Sequence, residues 1–243
     1  MAIFFLLKRG LSLLFTGQIG AFLYEVKRHA WSEETGYALR MDLQLPIPPV
    51  NAAIPLTRRP FQRDDARHFA GPPGLWCKIT RTKIDLVSRT EFIKADIPSA
   101  IVLVAPDGNP CFIEWQIASS AGEKAASYRK AHHIPLSDDE VLVENSFVPE
   151  QYRKKNISAC GSWHSAEVAR ALGGRWAVGY IEPRRVASMR GALSAGYHPY
   201  LLIKIAWRAF RRKVSVISLS EEEALRLETS WRQRSANPRQ RPI

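Results

Sequence analysis

The sequence has no apolar run long enough to cross a lipid bilayer, which argues against an integral membrane protein. It also has only three cysteines, Cys77, Cys111 and Cys160, without a Cys-x-x-Cys pair. This pattern excludes a disulfide-stapled scaffold and favours a reducing compartment, so we expect a cytoplasmic protein. Cys160 and His164 share a helical face at i,i+4, but no third or fourth ligand is spaced to join them, and we predict no metal site.

Acidic residues are scarce relative to basic ones: 23 Asp and Glu against 35 Lys and Arg give a formal net charge of +12. Such a balance favours anionic partners, among them nucleotides, nucleic acid, anionic lipid and acidic substrates. The apolar and charged fractions, 46% and 24%, are those of an ordinary globular protein. A basic-aromatic recognition motif is missing, so no specific nucleic-acid binding is predicted. A nonspecific nucleic-acid or membrane-surface protein stays open as an alternative class.

The first 55 residues predict an amphipathic helical extension and a connector ahead of the main domain. Apolar residues recur near a 3.6-residue period up to about residue 30, which indicates one or two helices. Such helices dock on their own domain or contact a membrane surface or a partner, and the pattern does not separate these alternatives. Four prolines between residues 46 and 55 predict an extended connector over 31–56. The periodic residues are Phe4, Leu7, Leu11, Leu14, Phe22 and Val26.

From residue 56 strand and helix patterns alternate, which predicts one α/β domain over residues 56–219. Asp107-Gly108 between two apolar runs predicts a β-hairpin. Residues 72–98 show no clean period, and residues 119–130 read as a loop or a short helix. Residues 220–243 predict a short helix, which opens with a Ser220–Glu223 capping box, and a disordered tail. Predicted strands span 56–61, 100–105, 111–118, 141–148, 176–181, 200–207 and 214–219, and predicted helices span 157–172 and 184–194, with another beginning at 64.

The stretch from Glu140 to Gly174 carries the strongest functional signal. A strand over 141–148 ends at Pro149, a basic loop follows, and the next helix stops at Gly173-Gly174. The loop therefore stands at a helix N-terminus, where unpaired N–H groups and the helix dipole favour an anion. Three consecutive basic residues in front of the helix, Arg153, Lys154 and Lys155, indicate a phosphate or pyrophosphate.

This loop resembles the coenzyme A pyrophosphate loop of the GNAT acetyltransferase superfamily. That loop usually reads Arg/Gln-x-x-Gly-x-Gly/Ala after a Val-x-Pro strand end. Here Val148 precedes Arg153-x-x-Asn156-x-Ser158-Ala159, with Asn156 and Ser158 in place of the two glycines. Asparagine is the residue other than glycine that best tolerates left-handed backbone, and serine is small and can donate a hydrogen bond. Both replacements are therefore compatible with a working phosphate loop.

A second match follows the loop in the right order and at the right separation. Ser188 to Gly196-Tyr197 resembles the superfamily's Ser…Gly-Phe ending, with Tyr197 for Phe. The chain is therefore identified as a GNAT-like α/β protein. The resemblance implies a mixed, mostly antiparallel central sheet with flanking helices, preceded here by the N-terminal helical extension.

The resemblance also implies a site for acetyl-CoA, as cosubstrate, in a gap where two neighbouring strands splay apart. It places pantetheine on the main chain of Phe147 and Val148. A strand carboxylate is a frequent base in the superfamily, and Glu144 is the only acid inside the strand, although a solvated or ion-paired glutamate is the alternative. Glu114 is the reserve candidate. The pyrophosphate is expected on the loop residues Arg153, Lys154, Lys155, Asn156, Ile157 and Ser158.

Two details of the implied chemistry stay open. Period two predicts that Glu144 shares a face with Ser146 and Val148, opposite Phe147. The superfamily's frequent general acid, a Tyr, corresponds to Ala192 here, which leaves Tyr197, Tyr200 or water. His132-His133 and His164 are further candidate bases, each more typical of a surface or packed histidine.

The resemblance implies transfer of an acetyl group from acetyl-CoA to a primary amine by direct attack. The sequence does not identify the amine. The alternative is a catalytically silent module of the same fold that binds acyl-CoA or a partner.

Overall fold

A computed structural model describes residues 19–70, 81–131 and 134–236. The helices are α1 (Ile19–Ala30), α2 (Ala66–Phe69), α3 (Arg81–Ala95), α4 (Glu123–Ala131), α5 (Ile157–Ala171), α6 (Val186–Ser194) and α7 (Glu221–Ala236). The strands are β1 (Trp31–Asp42), β2 (Thr57–Pro60), β3 (Ala100–Val104), β4 (Pro110–Ile117), β5 (Glu140–Phe147), β6 (Trp176–Ile181), β7 (His198–Arg208) and β8 (Arg211–Ser218). No helix within these ranges is both long and apolar enough to cross a bilayer.

One eight-stranded sheet organises the molecule, in the order β2-β3-β4-β5-β6-β1-β7-β8. Every neighbouring pair is antiparallel except β5 and β6. The parallel pair arises because α5 carries the chain back to the same end of the sheet before β6 begins. The predicted mixed, mostly antiparallel α/β fold is confirmed. So is the hairpin at Asp107-Gly108, where Gly108 takes a φ of +78°.

β1 corrects the predicted connector. Residues 31–42 form a strand between β6 and β7, so the sheet begins well before residue 56. The prolines that suggested a connector start only at Pro46, and charged residues and Gly36 obscure the alternation of the strand. Gly36 is needed there because the ring of Tyr180 lies against it: a Cβ at this position would be 2.2 Å from that ring.

The proline-rich segment that follows β1 is fastened along α5. The Arg170 guanidinium donates to the Leu43 carbonyl at 2.6 Å, and the Trp163 indole donates to the Ile47 carbonyl at 3.2 Å. At the other end of the helix the Ala53 N–H donates to the Lys155 carbonyl at 2.9 Å. Prolines leave the segment short of donors, so side chains of α5 supply them.

The sheet has two covered faces. On the α5 face, helices α5, α6 and α7 pack on a core that includes Leu39, Val143 and Met189. On the α3 face, helices α1 to α4 cover a second core around Trp115 and Ile113. Burial of this apolar area on both faces, at about 25 cal/mol per Å², is the main stabilising term.

The C-terminal helix belongs to this core. The predicted capping box is confirmed, since the Ser220 N–H donates to Glu223 at 2.8 Å and Ser220 Oγ accepts from the Glu223 N–H at 3.2 Å. Trp231 of α7 is 3% exposed and meets the ring of Tyr37 of β1 edge-on, with centroids 5.0 Å apart. Helix and strand from the two ends of the chain therefore stabilise each other.

The structure confirms some of the other predictions, corrects others and leaves some untested. α3 occupies part of the stretch without a clean period, and α6 begins at Val186 rather than at 184. α1 confirms a helix in the extension, and its Ile19, Leu23 and Val26 are more than a third exposed, which leaves membrane or partner contact as a prediction. Residues 1–18 of the predicted extension, Cys77, His132-His133 and the tail from Asn237 lie outside the described residues.

Candidate active site

The parallel pairing of β5 and β6 stops before either strand ends. The ladder runs from Glu140–Trp176 to Val143–Gly179, whereas β5 continues to Phe147 and β6 to Ile181. The two strands therefore part beyond Val143 and Gly179. We call this gap the β5–β6 opening. It leaves main chain of the second half of β5 without a strand partner on that side, as extended ligands require.

A β-bulge lies at the opening. In the β4–β5 ladder Ile113 pairs with Phe147 and Trp115 with Glu144, so that two residues of β5, Asn145 and Ser146, stand opposite one residue of β4. Asn145 has a φ of +60°. Bulges of this kind re-aim side chains and end pairing, and this one accounts for the parting of β5 from β6.

The bulge overturns the predicted facing of Glu144. Period two places Glu144 with Ser146 and opposite Phe147, but the extra residue shifts the alternation. Glu144 pairs with Trp115 and Phe147 with Ile113, both of them in the core of the α3 face. Glu144 and Phe147 therefore share the α3 face, and Ser146 lies on the other side, where its hydroxyl interacts with Glu114. Glu144 is half-buried at the inner end of the opening.

The loop after β5 leads directly into the N-terminus of α5. A 3₁₀ turn at Glu150–Tyr152 is tied to the β3–β4 turn, since the Tyr152 hydroxyl donates to Asp107 at 2.5 Å. Arg153 and Lys154 are exposed, and Lys155 is half-buried. Three of the predicted loop residues thus place positive charge in front of the helix.

Asn156 takes the conformation that a glycine would allow, with a φ of +57°. Its side chain does not cap α5 but donates to the Asn51 carbonyl at 2.9 Å. The first N–H groups of α5, from Ile157 and Ser158, are therefore left without a side-chain cap and directed at whatever lies before the helix.

We predict that Asn156→Val destabilises the protein by about 1–2 kcal/mol, because left-handed backbone is costly for a β-branched residue. Asn156→Gly should lie within about 1 kcal/mol of the parent chain, since glycine adopts this conformation freely. Denaturant unfolding of both variants measures the difference. Equal destabilisation would contradict the prediction and would assign the role of Asn156 to its bond with Asn51.

The second predicted motif packs against this same turn. A Cβ on Gly191 of α6 would lie 3.1 Å from the Ser158 hydroxyl, so α6 sits close against the first turn of α5. Gly196 ends the motif's helix with a φ of +95°. Ala192 and Tyr197 are buried. The two matching segments are therefore neighbours in space.

A buried polar cluster underlies the bulge on the α5 face. The Gln116 amide donates to Ser165 at 2.9 Å, and Glu114 is 3% exposed. Within the described residues Glu114 Oε2, Gln116 Oε1 and the Tyr197 hydroxyl have no hydrogen-bond partner. Burial raises the pKa of Glu114 to about 7, although hydroxyls of Ser165 and Ser146 oppose the rise. Burial also raises the pKa of Tyr197, which excludes it as a ready proton donor.

We predict that Glu114 makes stability fall as the pH rises. The folded protein keeps the Glu114 proton up to a pKa of about 7, whereas the unfolded chain loses it near 4.5. Stability should therefore fall between these values, by roughly 3 kcal/mol in all. In melting curves from pH 5 to 8, Glu114→Gln should flatten the profile, and Glu150→Gln, which removes an exposed carboxylate, should not. Parallel profiles for all three proteins would refute the assignment.

α3 crosses the β5–β6 opening on the side where Glu144 lies. The guanidinium of Arg89 sits 3.7 Å from the ring centroid of Phe147 on β5, and its Nε donates to the Phe69 carbonyl at 3.1 Å. One turn earlier on α3, the Asp85 carboxylate accepts a hydrogen bond of 2.6 Å from Arg185, a residue that follows β6. α3 thus contacts both borders of the opening. Nothing in the sequence pattern indicated these residues, because they lie in the stretch without a clean period.

The comparisons agree with this geometry. No known family model matches the sequence, and no curated protein matches it. Among solved structures, the GCN5-related glucosamine N-acetyltransferase region of a fungal multi-domain GH3 β-N-acetylglucosaminidase superposes with a TM-score of 0.50 at 11% identity, over 78% of this chain and 22% of that one. The chain has the GCN5-related N-acetyltransferase fold.

Other structures of GNAT proteins match more loosely. One from Sphaerobacter thermophilus has a TM-score of 0.43 at 16% identity over 76% of this chain, and one from Novosphingobium aromaticivorans has 0.44 at 12% over 78%. This chain spans 56% of the former and 66% of the latter. It thus covers less than two thirds of each of these chains.

The remaining candidate residues are Tyr200, Cys160 and His164. Tyr200 packs beside Arg40, 4.7 Å from ring centroid to guanidinium carbon. Cys160 is buried, and burial lowers the pKa of His164. Across residues 19–70, 81–131 and 134–236 no three His, Cys, Asp or Glu side chains are grouped to hold a metal ion.

Proposed function

We propose that this protein is an N-acetyltransferase that moves the acetyl group of acetyl-CoA to a primary amine. The observation that carries the proposal is the β5–β6 opening with a bulge on one border and an uncapped, basic helix start at its outer end. An extended thiol arm with a pyrophosphate matches both features at once. The GNAT fold adds support at the level of architecture.

The proposed binding mode follows the opening outward. Main-chain groups of Phe147 and Val148 hold the pantetheine arm as an added strand would. The N–H groups of Ile157 and Ser158, behind Arg153, Lys154, Lys155 and Asn156, hold the pyrophosphate. Asn156 in its left-handed conformation supports this assignment, because the loop keeps the backbone path that glycine would permit.

In the proposed reaction the amine attacks the thioester carbonyl, a C–N bond forms, and the C–S bond breaks. Glu144 accepts the proton that the amine must lose, directly or through one water. The departing thiolate takes a proton from water, since position 192 is an alanine rather than a tyrosine. Holding both reactants in the opening contributes most of the acceleration, because a well-oriented pair reacts as one molecule.

The direct test measures release of free CoA from acetyl-CoA with a broad panel of amines. We expect acetyl-CoA to bind and at least one amine to give amine-dependent release. Binding without release for every amine would favour the silent module of the same fold, and absence of binding would contradict the proposal altogether. A cytoplasmic location, for which the unpaired cysteines argue, stays a prediction.

A further inference from the structure

Arg89 is a buried cation in an unusual position. It is 3% exposed, and among the side chains that the structure describes, which do not include Glu91, no carboxylate forms an ion pair with it. Burial lowers its pKa to about 10, so the guanidinium is still charged at neutral pH. A buried charge is costly unless an opposite charge meets it.

The nearest opposite charge is already shared. Asp85 attracts Arg89 electrostatically but forms its ion pair with Arg185 at 2.6 Å. Arg185 also lies 4.0 Å from Glu182, which pairs with Arg184 at 2.5 Å. These three arginines outnumber the two carboxylates, so a net positive charge remains at the outer end of the β5–β6 opening. The side chains of Arg185 and Asp85 are 37% and 30% exposed, so solvent reaches the cluster from the Arg185 side.

The cluster of Arg89, Arg185 and Asp85 lies near the candidate base Glu144. Glu144 and Phe147 lie on the same face of β5, three residues and roughly 7–10 Å apart along the strand. Arg89 stacks on Phe147, so a molecule that presents an amine to Glu144 can reach Arg89 with its other end.

We infer that the acceptor is an amine that also carries a carboxylate, and that Arg89, with Arg185, binds this carboxylate. The inference rests on the proposed function and narrows its substrate class to amino acids and related amino carboxylates. A guanidinium suits the role because its fork of N–H donors matches the two oxygens of a carboxylate. Among the described residues, the Nε donor of Arg89 binds the Phe69 carbonyl, and its two terminal NH2 groups have no hydrogen-bond partner.

The test uses pairs of acceptors that differ in the carboxylate alone: tyrosine and tyramine, histidine and histamine, 4-aminobutyrate and propylamine. With the full chain and saturating CoA, melting temperatures report binding, and CoA release from acetyl-CoA reports turnover. In at least one pair we expect the carboxylate-bearing member to be preferred about tenfold or more in kcat/KM and to raise the melting temperature further. Equal or better performance of the carboxylate-free members, or no effect of any member, would overturn the inference.

Two variants separate carboxylate binding from a purely structural role. Arg89→Gln should abolish the preference for the carboxylate. Arg40→Gln is the matched control, because Arg40 also stacks on aromatic rings, 4.3 Å from Trp176, but away from the opening. It should retain the preference, and a preference retained in Arg89→Gln would count against the inference. If Arg89→Gln fails to fold, the comparison within the parent protein decides alone.

The two proposals fail separately. Carboxylates that bind without CoA release would leave carboxylate binding at Arg89 standing and contradict the transferase. Equal CoA release with the carboxylate-free amines would contradict the inference and leave the transferase standing.

Discussion

Replacing Arg153 and Lys154 by glutamate is expected to raise the Kd for CoA at least about 30-fold, since hydrogen bonds to charged groups contribute roughly 1.5–3 kcal/mol each. Both side chains are exposed in front of α5, so the fold should tolerate the change. The negative charges would repel a pyrophosphate and oppose its binding to the helix N-terminus. Isothermal titration with CoA measures the loss.

The control for this prediction is a charge change of equal size elsewhere. Arg211→Glu with Lys213→Glu alters two exposed cations on β8, the last strand at the far edge of the sheet. This pair should leave the Kd for CoA within about threefold at a physiological ionic strength, where surface charges act over only about 8 Å. If both double variants weaken binding alike, then CoA responds to the net charge of +12 and not to the loop.

Glu144→Gln is expected to lower kcat by about 100-fold or more, because a positioned general base contributes roughly 10²–10⁴ to a rate. The Kd for acetyl-CoA should stay unchanged, since the carboxylate lies on the α3 face and not on the path of the pyrophosphate. Acceptor amines with a low pKa should lose less, because they reach the site already deprotonated. Steady-state rates over a series of amines of different pKa measure this dependence.

The reserve candidate serves as the control. Glu114 lies on the opposite face of the sheet in a closed polar cluster, so Glu114→Gln should change kcat by less than about tenfold. The reverse order, with Glu114→Gln the slower enzyme, would move the base to Glu114 and the reaction to the α5 face. A variant of Glu144 that works as well as the parent chain would remove this carboxylate from the mechanism.

Much of the architecture is legible in the sequence because local signals and tertiary packing agree. β4, β5 and β6 are apolar runs with clear ends, and α5 has a glycine stop. The left-handed conformation of Asn156 follows from its place in the loop motif. In each case the residue's own backbone preference points to the conformation that the fold requires.

Sequence patterns do not predict β1 and α3, because the stability of these two elements comes from partners that are distant in sequence. β1 contains Gly36 and several charged residues, and it is held between β6 and β7, more than 130 residues away. α3 has hardly any apolar periodicity, and single residues such as Phe92 attach it to the core. Propensity and pattern cannot reveal an element that depends on such contacts.

At the candidate site, the bulge at Asn145 and Ser146 is a feature that the sequence pattern does not predict. A strict period of two puts Glu144 on the wrong face relative to Phe147, and one inserted residue corrects it. The sequence does not indicate Arg89 either, because its proposed role depends on its contact with the ring of Phe147 and on the ion pair between Asp85 and Arg185. Motifs indicate the proposed phosphate loop, whereas the proposed acceptor side rests on the three-dimensional arrangement alone.

Both proposals depend on the binding of acyl-CoA along the β5–β6 opening. Melting temperatures with acetyl-CoA, CoA and ATP test it most directly, because a ligand that binds the native state alone raises the melting temperature by mass action. We predict a clear rise with acetyl-CoA and with CoA and none with ATP, which has the phosphates and the adenosine but lacks the pantetheine arm. No rise with either thiol ligand, or an equal rise with ATP, would contradict the claim.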